Sequence, residues 1–144
     1  MGSERNIISV ENNAKISFEN YMVNKIILRN LEENEEKDKF GINISTDESN
    51  GFLKLNIKAL TKERYIELEM IGIFKFDENF IEKEKDKFLR INGTAILYPY
   101  IRAYISTITS FDKVGSPAIL PTINFQKFYD DYIKKREVKS QEPK

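Results

Sequence analysis

Phe40-Gly41-Ile42-Asn43-Ile44-Ser45 sets an apolar side chain at every second position, and Leu53-Lys54-Leu55-Asn56-Ile57-Lys58-Ala59 does the same after Asp47-Glu48-Ser49-Asn50-Gly51. A period of two puts Phe40, Ile42 and Ile44 on one face of a strand, and Leu53, Leu55, Ile57 and Ala59 on one face of another. Asn50-Gly51 between them is a strong turn signal. The stretch therefore predicts two antiparallel strands joined as a hairpin, each with one face toward a core.

Working outward, Thr61-Lys62-Glu63-Arg64 leads into a further strand in which Ile66, Leu68 and Met70 alternate with Glu67 and Glu69. From Ile71 to Phe76 that strand is apolar on both faces around Gly72, so its second half should be covered on both sides. Upstream, Ile16/Phe18, Tyr21/Val23 and Ile26/Leu28 alternate in three broken phases, which predicts one long strand with bulges or a register change. The run from Leu31 to Lys39, dense in Glu and Lys, is too charged for a core element and reads as a solvated connection. No strand-helix-strand alternation is present, so the sheet should be antiparallel.

The second half reads as helical. Positions 97, 100, 101, 104, 105 and 108 follow the three-and-four spacing of one helix face, with Ile96 and Tyr98 outside the stripe and Pro99 inside a helix that starts near Asn92. The segment from Phe111 to Thr122 contains Gly115, Pro117 and Pro121 and reads as a loop. It also carries Val114, Ala118, Ile119 and Leu120, so it must lie on protein. A last helix is expected from Asn124, a good N-cap, with Phe125, Phe128, Tyr129, Tyr132 and Ile133 on one face. The mixed run from Asp77 to Lys87 reads as solvated surface. The fold class is α+β in a single domain, 1–144, whose ends, 1–14 and 138–144, are expected to fray.

Composition narrows the chemistry. The 144 residues hold 23 basic and 23 acidic side chains, so the formal net charge is zero, which argues against a dedicated nucleic-acid binder. There is no cysteine and no histidine, which excludes disulfides, thiol catalysis, Ser-His and Cys-His pairs and the common zinc sites. No cofactor or metal is expected, and an enzyme is disfavoured. Glu67 and Glu69 share one side of a strand, but nothing marks a substrate pocket around them. No stretch approaches a membrane span, and the polar start has no hydrophobic signal region, which predicts a soluble, cytoplasmic protein.

Leu97-Tyr98-Pro99-Tyr100-Ile101-Arg102 and Leu120-Pro121-Thr122-Ile123-Asn124-Phe125-Gln126-Lys127-Phe128-Tyr129 resemble two segments of the SecB family of protein-export chaperones. The first resembles the leucine-aromatic-Pro-Tyr-x-Arg segment of its long helix, the second the segment that opens its C-terminal helix. Glu67-Leu68-Glu69-Met70-Ile71-Gly72-Ile73-Phe74 is similar to its fourth strand. The resemblance implies a four-stranded antiparallel sheet with two helices, assembled as a dimer of dimers. It also implies an ATP-independent holdase that keeps clients unfolded in apolar grooves, for export or for one dedicated client such as an antitoxin.

On that resemblance, client contact is expected from Phe74, Phe76, Tyr98, Phe111, Ile119, Leu120, Phe125, Phe128, Tyr129 and Tyr132. Read from the residues alone, the face of Phe125, Phe128, Tyr129 and Tyr132 serves equally as core or as groove wall, and the loop from Pro117 to Ile123 as a lid or a wall. The family's acidic first-strand positions, which dock the SecA motor, fall at Lys25 and Arg29, a reversal of charge at both. Glu67 matches an acidic position of the same docking face. A structural or ligand-binding oligomer of the same fold without client-holding activity is the alternative.

Overall fold

The computed structural model describes residues 16–111 and 116–141, with side chains as far as Glu137. Within them lie four strands, β1 (Ile16–Asn30), β2 (Lys39–Asp47), β3 (Phe52–Leu60) and β4 (Arg64–Phe76). They form one antiparallel sheet in the order β1-β4-β3-β2, so β1 and β2 are its edges. A continuous helical path follows: a 3-10 turn (Glu82–Glu84), α1 (Lys85–Phe88), a π turn (Leu89–Gly93) and α2 (Thr94–Ser110). After a strap over 116–124 comes α3 (Phe125–Gln141). Of the ends expected to fray, 1–14 and 142–144 lie outside the described residues, as do the loop residues Asp112 to Gly115, whereas 138–141 belong to α3.

The broken phases of β1 have a single explanation. The register against β4 shifts between Phe18 and Asn20 and again between Val23 and Lys25. An extra residue at each shift would turn all later side chains to the other face, unless the apolar phase of the sequence shifts with it. It does: Phe18, Tyr21, Val23, Ile26 and Leu28 stand opposite Phe74, Gly72, Met70, Leu68 and Ile66, all on the face that carries the helices.

The core lies between that face and the helical path. Leu53, Leu55, Ile57, Ile66, Leu68 and Met70 are sealed beneath Leu89, Leu97, Ile101 and Ile105. Two glycines make this geometry. Gly51 takes a φ of +70° in the hairpin turn, and Phe74 N donates to its carbonyl at 2.8 Å. Gly72 lies directly under α2, where a Cβ would stand 3.2 Å from Leu97 Cδ2.

Two expectations about the helices need correction. The helical path begins at Glu82 rather than near Asn92; no residue of Glu82–Phe88 is fully buried, and Leu89 is the first of the path to be sealed in the core. The buried stripe of α2 is also rotated. Thr94, Leu97, Tyr98, Ile101, Ile105 and Thr109 face inward, whereas Tyr100 and Tyr104 are exposed. Threonine can occupy a core position because its hydroxyl bonds back into the helix: Thr94 Oγ1 donates to Arg90 O at 2.7 Å, and Thr109 Oγ1 to Ile105 O at 2.6 Å.

The strap lies on protein as expected, held by specific bonds. Arg64 Nη2 donates to Ser116 O at 2.7 Å, Ala118 N to Thr109 Oγ1 at 2.8 Å and Tyr98 Oη to Pro121 O at 2.5 Å. Leu120 is buried beneath it. Asn124 caps α3, its Oδ1 accepting from Lys127 N at 3.1 Å.

Candidate polypeptide-binding surface

Three apolar features remain open once the core is closed. The first is a shallow crevice of about 10 Å³ between β2 and α3, lined by Ile44, Arg90, Phe128, Tyr129 and Tyr132. The Arg90 guanidinium lies 4.4 Å from the centre of the Tyr132 ring and is fixed there by Asp86, which accepts from Arg90 Nε at 3.0 Å. Asp86 also accepts from Thr46 Oγ1 of β2, tying this cation to the edge strand. Burial holds the Tyr129 hydroxyl above its ordinary pKa. Because β2 ends the sheet, no neighbouring strand pairs with its outer backbone edge among the described residues.

The second feature is the seam where β1 passes beside α2. Tyr21 and Tyr100 meet at a tilt of 33° with ring centres 4.7 Å apart, and Phe18 joins them at 5.9 Å from Tyr100. Ile26, Leu28 and Tyr104 continue the exposed apolar line, and Leu28, Ile108 and Phe111 with Arg29 and Asn30 line a cavity of about 270 Å³ at its end. The third feature is the strap tip, where Ile119 is 79% exposed beside the buried Leu120.

The expected client-contact residues divide among these places. Phe128, Tyr129 and Tyr132 come together in the cleft, Phe111 is 83% exposed at the far end of the seam, and Ile119 tips the strap. Phe76 belongs to a separate, half-buried aromatic cluster with Phe80 and Phe88. Phe74, Tyr98, Leu120 and Phe125 are corrected: each is at most 6% exposed, in the core. The reason is local. Phe74 lies on the helix face of β4, and Tyr98 meets Phe125 edge to face at 5.4 Å under the strap. Sequence reasoning missed Tyr21, Ile26, Leu28, Tyr100 and Tyr104 as surface residues, because apolar side chains in phase with a core face carry no mark of which core they belong to.

The expected docking residues lie on the opposite face of the sheet and answer one another. Lys25 Nζ is 2.9 Å from Glu67 Oε2, and Tyr65 Oη donates to Glu67 Oε1 at 2.7 Å. Lys25 and the Tyr65 hydroxyl hold the Glu67 carboxyl at a pKa of about 2. Arg29 makes a forked pair with Glu35, at 2.6 and 3.1 Å, and stacks 3.9 Å over the Tyr65 ring. Each expected docking charge therefore has a partner within the chain.

This is an α+β domain that carries its helices on one face of an antiparallel sheet and offers aromatic clefts along its edges. The family model of the preprotein translocase subunit SecB matches residues 12–136, and the chain belongs to the SecB family. An uncharacterized protein of Methanocaldococcus jannaschii is 38% identical over 125 residues, covering 76% of this chain and 79% of that protein. The protein-export protein SecB of Dinoroseobacter shibae is 33% identical over 94 residues, covering 62% of this chain and 54% of that protein. Among solved structures, a Mycobacterium tuberculosis SecB-like chaperone in complex with a peptide from an antitoxin matches with a TM-score of 0.52 at 14% identity, covering 76% of this chain and 91% of that one. A Streptococcus agalactiae protein of unknown function matches with a TM-score of 0.54 at 13% identity, covering 74% and 97%. These two show a shared fold. Among the described residues no helix is long and apolar enough to cross a membrane, and no group of three or more acidic side chains is placed to hold a metal ion.

Proposed function

We propose that this chain is a nucleotide-independent holdase that keeps client polypeptides unfolded. The observation that carries the reading is the cleft between β2 and α3: an aromatic wall stands beside an unpaired strand edge. An extended client segment can bond its backbone to such an edge while its apolar side chains pack on the exposed Phe128 ring beside it. Membership of a family of chaperones supports the role, and binding by many weak apolar contacts requires neither histidine nor cysteine.

The apolar seam of β1 and α2 is the face we assign to assembly, with two copies burying Tyr21, Ile26, Leu28, Tyr100 and Tyr104 against each other as the first step to a dimer of dimers. Several clefts on one particle would then engage one long client together and raise its apparent affinity. A dedicated client such as an antitoxin is favoured over the general SecA route by one observation. Lys25 and Arg29 stand on the outer sheet face and Glu67 is neutralised there, leaving little negative charge for a basic docking surface.

The test is capture of a slow-folding protein diluted from denaturant, without nucleotide, followed by light scattering. Scattering suppressed at stoichiometric amounts supports the holdase. Aggregation equal with and without this protein favours a structural oligomer of the same fold.

A further inference from the structure

The sheet face away from the helices is divided in a way that neither client binding nor the ion pairs explain. In its half nearer Leu60 and Tyr65 it carries Lys25, Arg29, Asn56, Lys58, Glu67 and Glu69. In the half nearer the hairpin turn, Met22, Phe52, Ile71 and Ile73 meet across β1, β4 and β3, since Met22 pairs with Ile71, and Phe52 with Ile73. Met22 is 47% exposed and Phe52 40%, and beside them Phe52, Ile71, Ser45 and Asp47 line a cavity of about 240 Å³. Among the described residues the helices lie on the other side of the sheet.

We propose that this patch is the docking site of the chain's own segment Ile7-Ile8-Ser9-Val10. That run is the one cluster of large apolar side chains in residues 1–15, which lie outside the described structure. Position and reach both fit. The segment joins the sheet at Ile16, opposite Phe76, at the same end as the patch. The seven residue steps from Val10 to Ser17 span up to about 24 Å when extended, and the far side of the patch at Met22 lies about 17 Å along β1. The nearby Asp47 carboxylate is already engaged by the Asn50 backbone and side-chain amides, at 3.4 and 2.8 Å. This assignment does not depend on the holdase reading, since it uses the face opposite the cleft.

The absence of cysteine allows a clean test. A nitroxide on Ser9→Cys in the full chain should broaden the methyl signals of Met22, Ile71 and Ile73 several-fold more than that of Ile27 in the polar half of the same face. Adding I7S, I8S and V10S should abolish the difference. Uniform broadening, no broadening, or contrast that survives the triple substitution overturns the proposal. Contrast that also appears when tagged, unlabelled chains are mixed with untagged, labelled ones places a second copy on the patch and overturns it too.

Discussion

Lys25 Nζ and Glu67 Oε2 lie 2.9 Å apart on a diagonal of the sheet, because Lys25 stands opposite Glu69 and Ile27 opposite Glu67 in the β1–β4 register. The bulge between Val23 and Lys25 makes the pair, by returning Lys25 to the outer face that Glu67 also occupies. The Glu67 pKa is lowered from 4.5 to about 2 by Lys25 and the Tyr65 hydroxyl. A carboxyl with a depressed folded pKa stabilises the fold above its unfolded value and loses that contribution as pH falls through the folded one. The window here runs from about pH 4.5 down to about 2. Glu67→Gln is expected to lower the melting temperature at pH 7 while melting like the parent near the bottom of that window. Circular dichroism melts across the range check it, and parallel curves for the two proteins would show that the pair does not stabilise the fold.

Gly51 and Gly72 should differ sharply in tolerance. A Cβ on Gly51 would lie 2.0 Å from the Phe74 carbonyl oxygen, at a positive φ, whereas at Gly72 the nearest atoms are side-chain ones, the Leu97 methyls and Phe74 Cε2, at 3.2 Å or more. Gly51→Ala is expected to cost about 2 kcal/mol or more, and Gly72→Ala distinctly less. Urea unfolding of the two variants measures the order, and equal midpoints would contradict it.

Phe125 and Phe128 are three residues apart on α3 and should behave in opposite ways. Phe125→Ala removes a core ring that packs on Tyr98 and should cost about 3 to 5 kcal/mol. Phe128→Ala, like Ile119→Ser, should leave the melting temperature nearly unchanged and weaken client capture. Scattering and melting curves on the same samples separate the two outcomes. Undiminished capture by a Phe128→Ala, Ile119→Ser double variant would remove the cleft from the mechanism.

The strap depends on the Tyr98 hydroxyl. Tyr98→Phe keeps the ring against Phe125 but leaves Pro121 O without this donor, for an expected loss of about 1 kcal/mol. Faster amide exchange confined to 116–124 and the first turn of α3 should accompany it. Unchanged exchange there would mean that Arg64 and Thr109 hold the strap without Tyr98.

Assembly through the seam has its own variant. Leu28→Asp sets a charge in the line of Tyr21, Ile26 and Tyr100 and should shift the sedimenting species to smaller size while leaving the cleft between β2 and α3 intact. A wild-type sedimentation profile would place the interface elsewhere.

The strands were legible from residue order alone because alternation depends only on local geometry. Phe40 to Ala59 with its Asn50-Gly51 turn, the three phases of β1, and the Asn124 cap of α3 all state a local preference that tertiary packing then respected. Even the two bulges are written in the chain, as shifts in apolar phase. Partition of the apolar side chains between core and surface was not. Phe125 and Phe128 differ in no local property, yet one packs under the strap and the other lines a cleft, and Tyr98 is sealed where Tyr100 is open. The Tyr98 and Tyr100 assignments follow from the rotation of α2 about its axis, set by the fit of Leu97 over Gly72 and by threonines whose hydroxyls are satisfied within the helix. The pairing of Lys25 with Glu67 was equally hidden, since residues far apart in the chain become neighbours only when a particular register closes between two strands.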